Sequence, residues 1–177
     1  MATTSTHATT FAEFEQLPDT REGKYELRHG ELVLIAPPKH GHQRIQYFLQ
    51  RRLGATSGTA WLAVIEIGFR PGNEHEYWIA DVALVSAERW NRTNPEGYFE
   101  GAPEVVIEIL CPSNTTAEML DRRDTCLKNG AQEFWLVDPI RHGVEVSTPD
   151  GHSMTYPAGQ QIPLLVGGVL AVDEIFV

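Results

Sequence analysis

The chain has 177 residues, 42% of them hydrophobic and 21% charged, with a formal net charge of −10. That length suits one domain with a sizeable core. No apolar run reaches the roughly 18 residues of a membrane span, and the acidity works against bulk attraction to nucleic acid, so such binding needs a local basic patch.

Two cysteines, Cys111 and Cys126, stand outside any CxxC arrangement. This argues against a thiol-based zinc site and fits a reduced pair in a cytoplasmic protein. The opening MATTSTHATT is polar and has neither the charged start nor the apolar stretch of a secretory signal. It reads as a flexible tail over residues 1–10, ahead of a domain over 11–177.

In chain order, TTFAEFEQLP predicts a short helix capped by Thr9 or Thr10, with Pro18 beyond its end. KYELRHGELVLIAPP predicts two strands joined at His29-Gly30, because Tyr25, Leu27, Leu32 and Leu34 alternate. HQRIQYFLQRRLGA predicts an amphipathic helix with Ile45, Phe48, Leu49 and Leu53 on one face. Arg44, Arg51 and Arg52 lie mostly off that face, while His42 points towards it. WLAVIEIGFRPG and EYWIADVALVS predict strands around Pro71-Gly72-Asn73. Ser86 to Pro103 is polar and reads as a long loop.

PEVVIEILCPSN then predicts a buried strand, and TTAEMLDRRDTCLKNG a helix stopped at Gly130. In that helix Met119, Leu120 and Leu127 are expected to face the core, and Glu118 and Arg122 to pair four residues apart. EFWLVDP predicts another buried strand. GVEVSTPDGHSMTYP predicts a hairpin about Asp150-Gly151, and AVDEIF one helical turn that packs Phe176. The alternation of helices and strands gives an α/β (α+β) fold with a mixed central sheet.

Two acids stand out. Glu108 lies in the middle of VVIEI, and Asp81 lies in WIADVALV, each flanked by apolar residues. An unpaired carboxylate in an apolar core costs several kcal/mol or more. Neighbouring strands would bring both to one end of the sheet, where their repulsion raises a pKa. A divalent cation such as Mg²⁺ resolves the conflict, since it takes oxygen ligands. The plainer alternative is that each acid caps a turn or pairs with an arginine. Glu26 sits in a hairpin strand, and Glu31 faces solvent. His42 is a candidate phosphate or metal-shell contact, beside the commoner structural role for a histidine.

The succession KYELRHGELVLIAPP, GHQRIQYFLQRRL, WIADVALV, PEVVIEILCPSN and GAQEFWLVDP resembles the prokaryotic Uma family, described as "putative restriction endonucleases", of the PD-(D/E)XK nuclease superfamily. The resemblance runs from about Phe11 to Phe176. It implies a restriction-endonuclease-like core, with a mixed sheet flanked by helices. It also implies a Mg²⁺ (or Mn²⁺) ion held by Asp81 and Glu108, and metal-dependent cleavage of a DNA phosphodiester. Glu26 matches the acid of the family's YEL block, and His42 matches its helix-heading histidine. The family has Pro-Asp where this chain has Ala80-Asp81. The superfamily's lysine would fall at Leu110; in this family it lies on the next helix, at the place of Arg122, with a tyrosine at the place of Cys126. Arginine keeps the charge but is no general base.

The function expected is therefore a metal-dependent DNA endonuclease. Asp81, Glu108 and the backbone carbonyl of Ile109 hold the metal, Arg122 stabilises the phosphate, and Glu26 and His42 support the site. DNA contact falls to Arg44, Arg51, Arg52, Arg122, Arg123 and Lys128. Trp90, Tyr98 and Phe99 offer a partner surface, and cutting two strands favours a homodimer. The alternative, motivated by Arg122 and the net charge of −10, is a degenerate nuclease fold that binds nucleic acid or protein without cleaving.

Overall fold

The computed structural model describes residues 8–18 and 22–177. Most of the expected tail, residues 1–7, lies outside them. Thr9 donates its N–H to the Gly30 carbonyl at 2.9 Å. Thr10 caps the short helix α1 (Phe11–Phe14) in a reciprocal arrangement with Glu13, which supplies partners for the helix's unpaired N–H groups.

Strands β1 (Lys24–Arg28) and β2 (Glu31–Ile35) form an antiparallel hairpin closed by the pair Arg28 and Glu31. The two-residue turn needs left-handed backbone at both positions. It has it, with φ of +51° at His29 and +80° at Gly30. Helix α2 (His40–Thr56) follows, then β3 (Trp61–Arg70) and β4 (Trp78–Ser86).

The stretch expected as a loop instead contains helix α3 (Ala87–Arg92), capped by the Ser86 side chain, and strand β5 (Phe99–Glu100), which pairs parallel to β3. Its polar composition hid two short elements that draw their stability from β3 and β4. Of the three aromatics expected to offer a partner surface, Trp90 and Tyr98 are exposed and Phe99 is not. Phe99 is buried, with the Arg89 guanidinium over its ring, and Tyr98 packs on Phe11 and Tyr77.

Strand β6 (Val105–Ile109), helix α4 (Thr116–Lys128) and strand β7 (Glu133–Asp138) make a parallel β–α–β unit. Strands β8 (Gly143–Ser147) and β9 (Ser153–Pro157) add the expected hairpin. A small ladder of β10 (Gln161–Pro163) and β11 (Val169–Ala171), unforeseen in the sequence, precedes a 3₁₀ turn over Val172–Glu174.

The main sheet is mixed and has seven strands, in the order β5-β3-β4-β6-β7-β8-β9. Period-two alternation on β6 sends Val105, Ile107 and Ile109 to one face and Val106 to the other. Ile45, Leu49 and Leu53 of α2 cover the first face, together with Ile162, Leu170 and Ile175 from the C-terminal segment. Each such side chain contributes about 1.5–3 kcal/mol when fully buried. Cys126 of α4 packs on the second face, beside Phe69, Trp78 and Phe134. The buried stripe of α4 is Met119, Arg122 and Cys126. Leu120, expected in the core, falls off that stripe and is 44% exposed.

Candidate metal-carboxylate site

Asp81 sits where the sheet opens. Strand β4 pairs with β3 at Val82 and at Ala80 but not at Asp81, and its pairing with β6 stops at Val82. Across from Asp81, Glu66 of β3 adopts φ +50°, a conformation that L residues rarely take. The side-chain alternation slips by one on both strands here. Trp78 and Ala80 share a face with Ala83 and Val85, and Val64 shares it with Ile67. Strained, unpaired backbone of this kind concentrates at functional sites.

The opening frees the Asp81 side chain to act as a clamp. Its Oδ2 accepts the Ile109 N–H at 2.8 Å, and its Oδ1 lies 2.9 Å from His42 Nε2. Four residues along α2, Gln46 donates to the Asp81 backbone carbonyl at 3.2 Å. One helix face thus holds both the main chain and the carboxylate of Asp81.

Glu108 points to the other face, into α4. Its Oε1 accepts from Arg122 Nε at 2.8 Å, and its other oxygen makes no hydrogen bond to the described residues. Arg122 is only 4% exposed. Its remaining donors grip Glu26 in two parallel bonds, Nη1 to Oε2 at 3.0 Å and Nη2 to Oε1 at 2.9 Å, and also reach the Ile79 carbonyl. The Trp78 ring lies 5.1 Å below its guanidinium carbon. Glu26 further accepts from Arg28 Nε and from the Ile79 N–H, each at 2.7 Å.

These partners divide the two buried glutamates. Burial alone raises the Glu26 carboxyl, but Arg122, Arg28 and the Ile79 N–H outweigh it and hold the group below its usual range. Burial pushes Glu108 up to about 8; the Arg122 guanidinium opposes this, while the charges of Asp81 and Glu26 add to it.

The six predicted catalytic and metal-ligating residues therefore lie around the place where β4 and β6 part, through two routes. Asp81, His42 and Ile109 are joined directly, and Glu108, Arg122 and Glu26 form an ionic cluster beside them. Three expectations change. Glu118 does not pair with Arg122; it closes the α4 cap at Thr115. Arg122 faces inward, with its donors spent on carboxylates, and is closed to a DNA phosphate. Of the other cations expected on DNA, Arg52 is 3.5 Å from Glu174, Arg123 is 3.0 Å from Asp124, and Arg44 donates to the Val177 carbonyl. Arg51 and Lys128 have no carboxylate partner among the described residues.

Gln46, Arg28, Glu66 and Trp78 were missed. Gln46 had a signal, a polar residue beside the apolar stripe one turn after His42. Arg28 shares the β1 face of Glu26. Nothing in the sequence marks Glu66.

Among the described residues, no group of three or more His, Cys, Asp or Glu is placed to hold a metal ion. A cation here would use two carboxylates, a backbone carbonyl and waters, a donor set that suits Mg²⁺. Glu108's open oxygen and its deficit of positive charge fit that group.

The mixed sheet flanked by helices makes this an α/β protein with the fold of a "putative nuclease". A solved structure with the same fold is a "putative nuclease belonging to DUF820" from Anabaena variabilis ATCC 29413, at 22% identity and a TM-score of 0.81, covering 94% of this chain and 97% of that one. The sequence profile of the Uma2 family, described as "Putative restriction endonuclease", matches residues 11–169. The chain belongs to the Uma2 family. No curated protein matches it, and no helix among the described residues is long and apolar enough to cross a membrane.

Proposed function

We propose that this protein is a Mg²⁺- or Mn²⁺-dependent endonuclease that hydrolyses DNA phosphodiesters. One observation carries the reading: Asp81 and Glu108, on adjacent strands, lie close enough where the ladder opens for the Asp81 charge to add to the rise of the Glu108 pKa, and Glu108 keeps one carboxylate oxygen without a hydrogen bond to the described residues. Asp81, Glu108 and the Ile109 carbonyl are the proposed ligands. The Ile109 N–H already points to β4, and in an antiparallel pair a residue's N–H and C=O face the same neighbour. A bound cation would polarise the scissile phosphate and lower the pKa of a coordinated water.

The chain's own residues prepare that site. His42 and Gln46 fix Asp81 from α2. Arg122 balances Glu108 and Glu26 without touching substrate, and Glu26 holds Arg122 in plane through its two parallel bonds. Helix α2 begins at His40 with no acidic residue in its first turn and no side-chain cap, which leaves backbone N–H groups beside His42 for a phosphate oxygen. Cutting both strands of a duplex requires two such sites, which favours a homodimer.

A second reading, a nuclease fold that binds nucleic acid without cleaving it, draws on Arg122. Among the described residues, the site holds no free lysine or arginine to act on the phosphate or on water.

Calorimetric titration of Mg²⁺ and Mn²⁺ into wild type and Asp81→Ala, followed by incubation with plasmid and oligonucleotide DNA, separates the two. The endonuclease reading expects heat and cleavage in wild type, neither in the variant, and matching circular dichroism. Retention of DNA without cleavage of any substrate favours the second reading. Wild-type cleavage by the purified Asp81→Ala variant defeats the site assignment.

A further inference from the structure

The hairpin tip carries a histidine that the proposed chemistry does not use. His29 Nδ1 is 2.7 Å from Glu76 Oε1, and its Nε2 is 2.8 Å from Asp121 Oδ2. A neutral imidazole has one N–H and one lone pair, and a lone pair against a carboxylate repels. Both contacts are satisfied together only by the imidazolium.

Each partner leads to Arg122. Asp121 precedes it on α4. Glu76 is buried, and its Oε2 accepts the Trp78 indole N–H at 2.7 Å and the His29 backbone N–H at 3.2 Å. The Trp78 ring supports the Arg122 guanidinium from below, and the His29 ring meets the same indole edge-on at 6.1 Å.

We propose that His29, as the imidazolium, is a positioning residue for Arg122: bridging Glu76 and Asp121, it clamps α4 and the Trp78 indole to the hairpin tip, and loss of its proton releases the clamp. The inference rests on Arg122 belonging to the working site.

The charged groups that face His29 are Glu76 from the β3–β4 connection and Asp121 from α4. Lys128 of α4 lines the same depression, with Thr125 and Asn129. Arg28, its neighbour on β1, is turned to Glu26 and Glu118. The Asp121 hydrogen bond, helped by Glu76, outweighs partial burial and raises the His29 pKa above its ordinary 6.5. A raised histidine pKa means that the clamp is complete below pH 6.5 and is lost as pH rises through the folded-state value.

The test is an NMR pH titration of the His29 ring, the Trp78 indole N–H and the Arg122 Nε–H in wild type, Asp121→Asn and His29→Asn. Asparagine tolerates the left-handed backbone at position 29. In wild type the His29 midpoint should lie above 6.5, and the Trp78 and Arg122 signals should share it. Asp121→Asn should lower the midpoint. His29→Asn should delete that component and leave any titration of Glu108 in place. If His29→Asn does not fold, Asp121→Asn, on an exposed helix face, decides. A His29 midpoint at or below 6.5, or an Arg122 signal indifferent to it, overturns the clamp. None of these readouts needs cleavage. Inactivity on all DNA with an intact His29 titration sinks the nuclease reading alone, and cleavage with an unshifted His29 sinks the clamp alone.

Discussion

Glu26 and Glu108 are both buried, and both bind Arg122, yet their surroundings differ. Glu26 has two arginines and a backbone N–H around it. Glu108 has one nitrogen of a shared guanidinium, and its strand ends beside a second acid, Asp81. One side of the cluster is a closed structural ion pair. The other is left short of positive charge, which is what a cation site requires before the cation arrives.

The largest effect expected of any variant here comes from cutting the link between the two sides. Arg122→Met leaves Glu108 buried without a counter-charge and Glu26 with Arg28 alone, and should lower the unfolding free energy by about 3–5 kcal/mol in urea melts. Glu26→Gln acts on the closed side only. It should cost about 1.5–3 kcal/mol, the range for hydrogen bonds to charged groups. Because the folded Glu26 pKa is depressed, its contribution is present above pH 4.5 and is lost as pH falls through the folded value. The variant should therefore flatten the acid limb of stability against pH.

On the open side the effects expected shift from stability to the proposed metal binding. His42→Ala removes the support of Asp81 Oδ1 and should weaken Mn²⁺ affinity by about 10–100-fold in calorimetry. Glu108→Gln should change stability least, by under about 1 kcal/mol at neutral pH, while reducing cation binding. The Glu108 pKa is raised to about 8, so its contribution is full below pH 4.5 and is lost as pH rises through about 8, opposite in sign to Glu26. A variant as destabilised as Glu26→Gln would show that Glu108 is an ordinary structural partner and would end the contrast.

The order of the long elements was legible because hydrophobic period carries it. Ile45, Leu49 and Leu53 mark α2, and the apolar runs around Val106 and Trp135 mark the buried strands. Asp81 and Glu108 were legible for the converse reason, as charges in apolar strands. Helix α3 and strand β5 were not, because their short polar sequence gains its structure from neighbours. Leu120 was misplaced because neighbours on a helix point about 100° apart, and only packing decides that Met119 rather than Leu120 falls in the buried stripe.

The sequence by itself determined which residues had to be explained: two acids where burial is costly, an arginine on the following helix, and a histidine at the head of α2. Their roles were decided by the tertiary structure. Whether Arg122 meets a phosphate or two carboxylates depends on how far α4 lies from β1, a distance between residues remote in the chain. Whether Asp81 is paired or free depends on a slip in side-chain alternation that both β3 and β4 must share, with their mutual register unchanged. Local propensity and spacing carry no information about either. Electrostatic energy in a buried site is set by distances among elements that only the folded chain brings together.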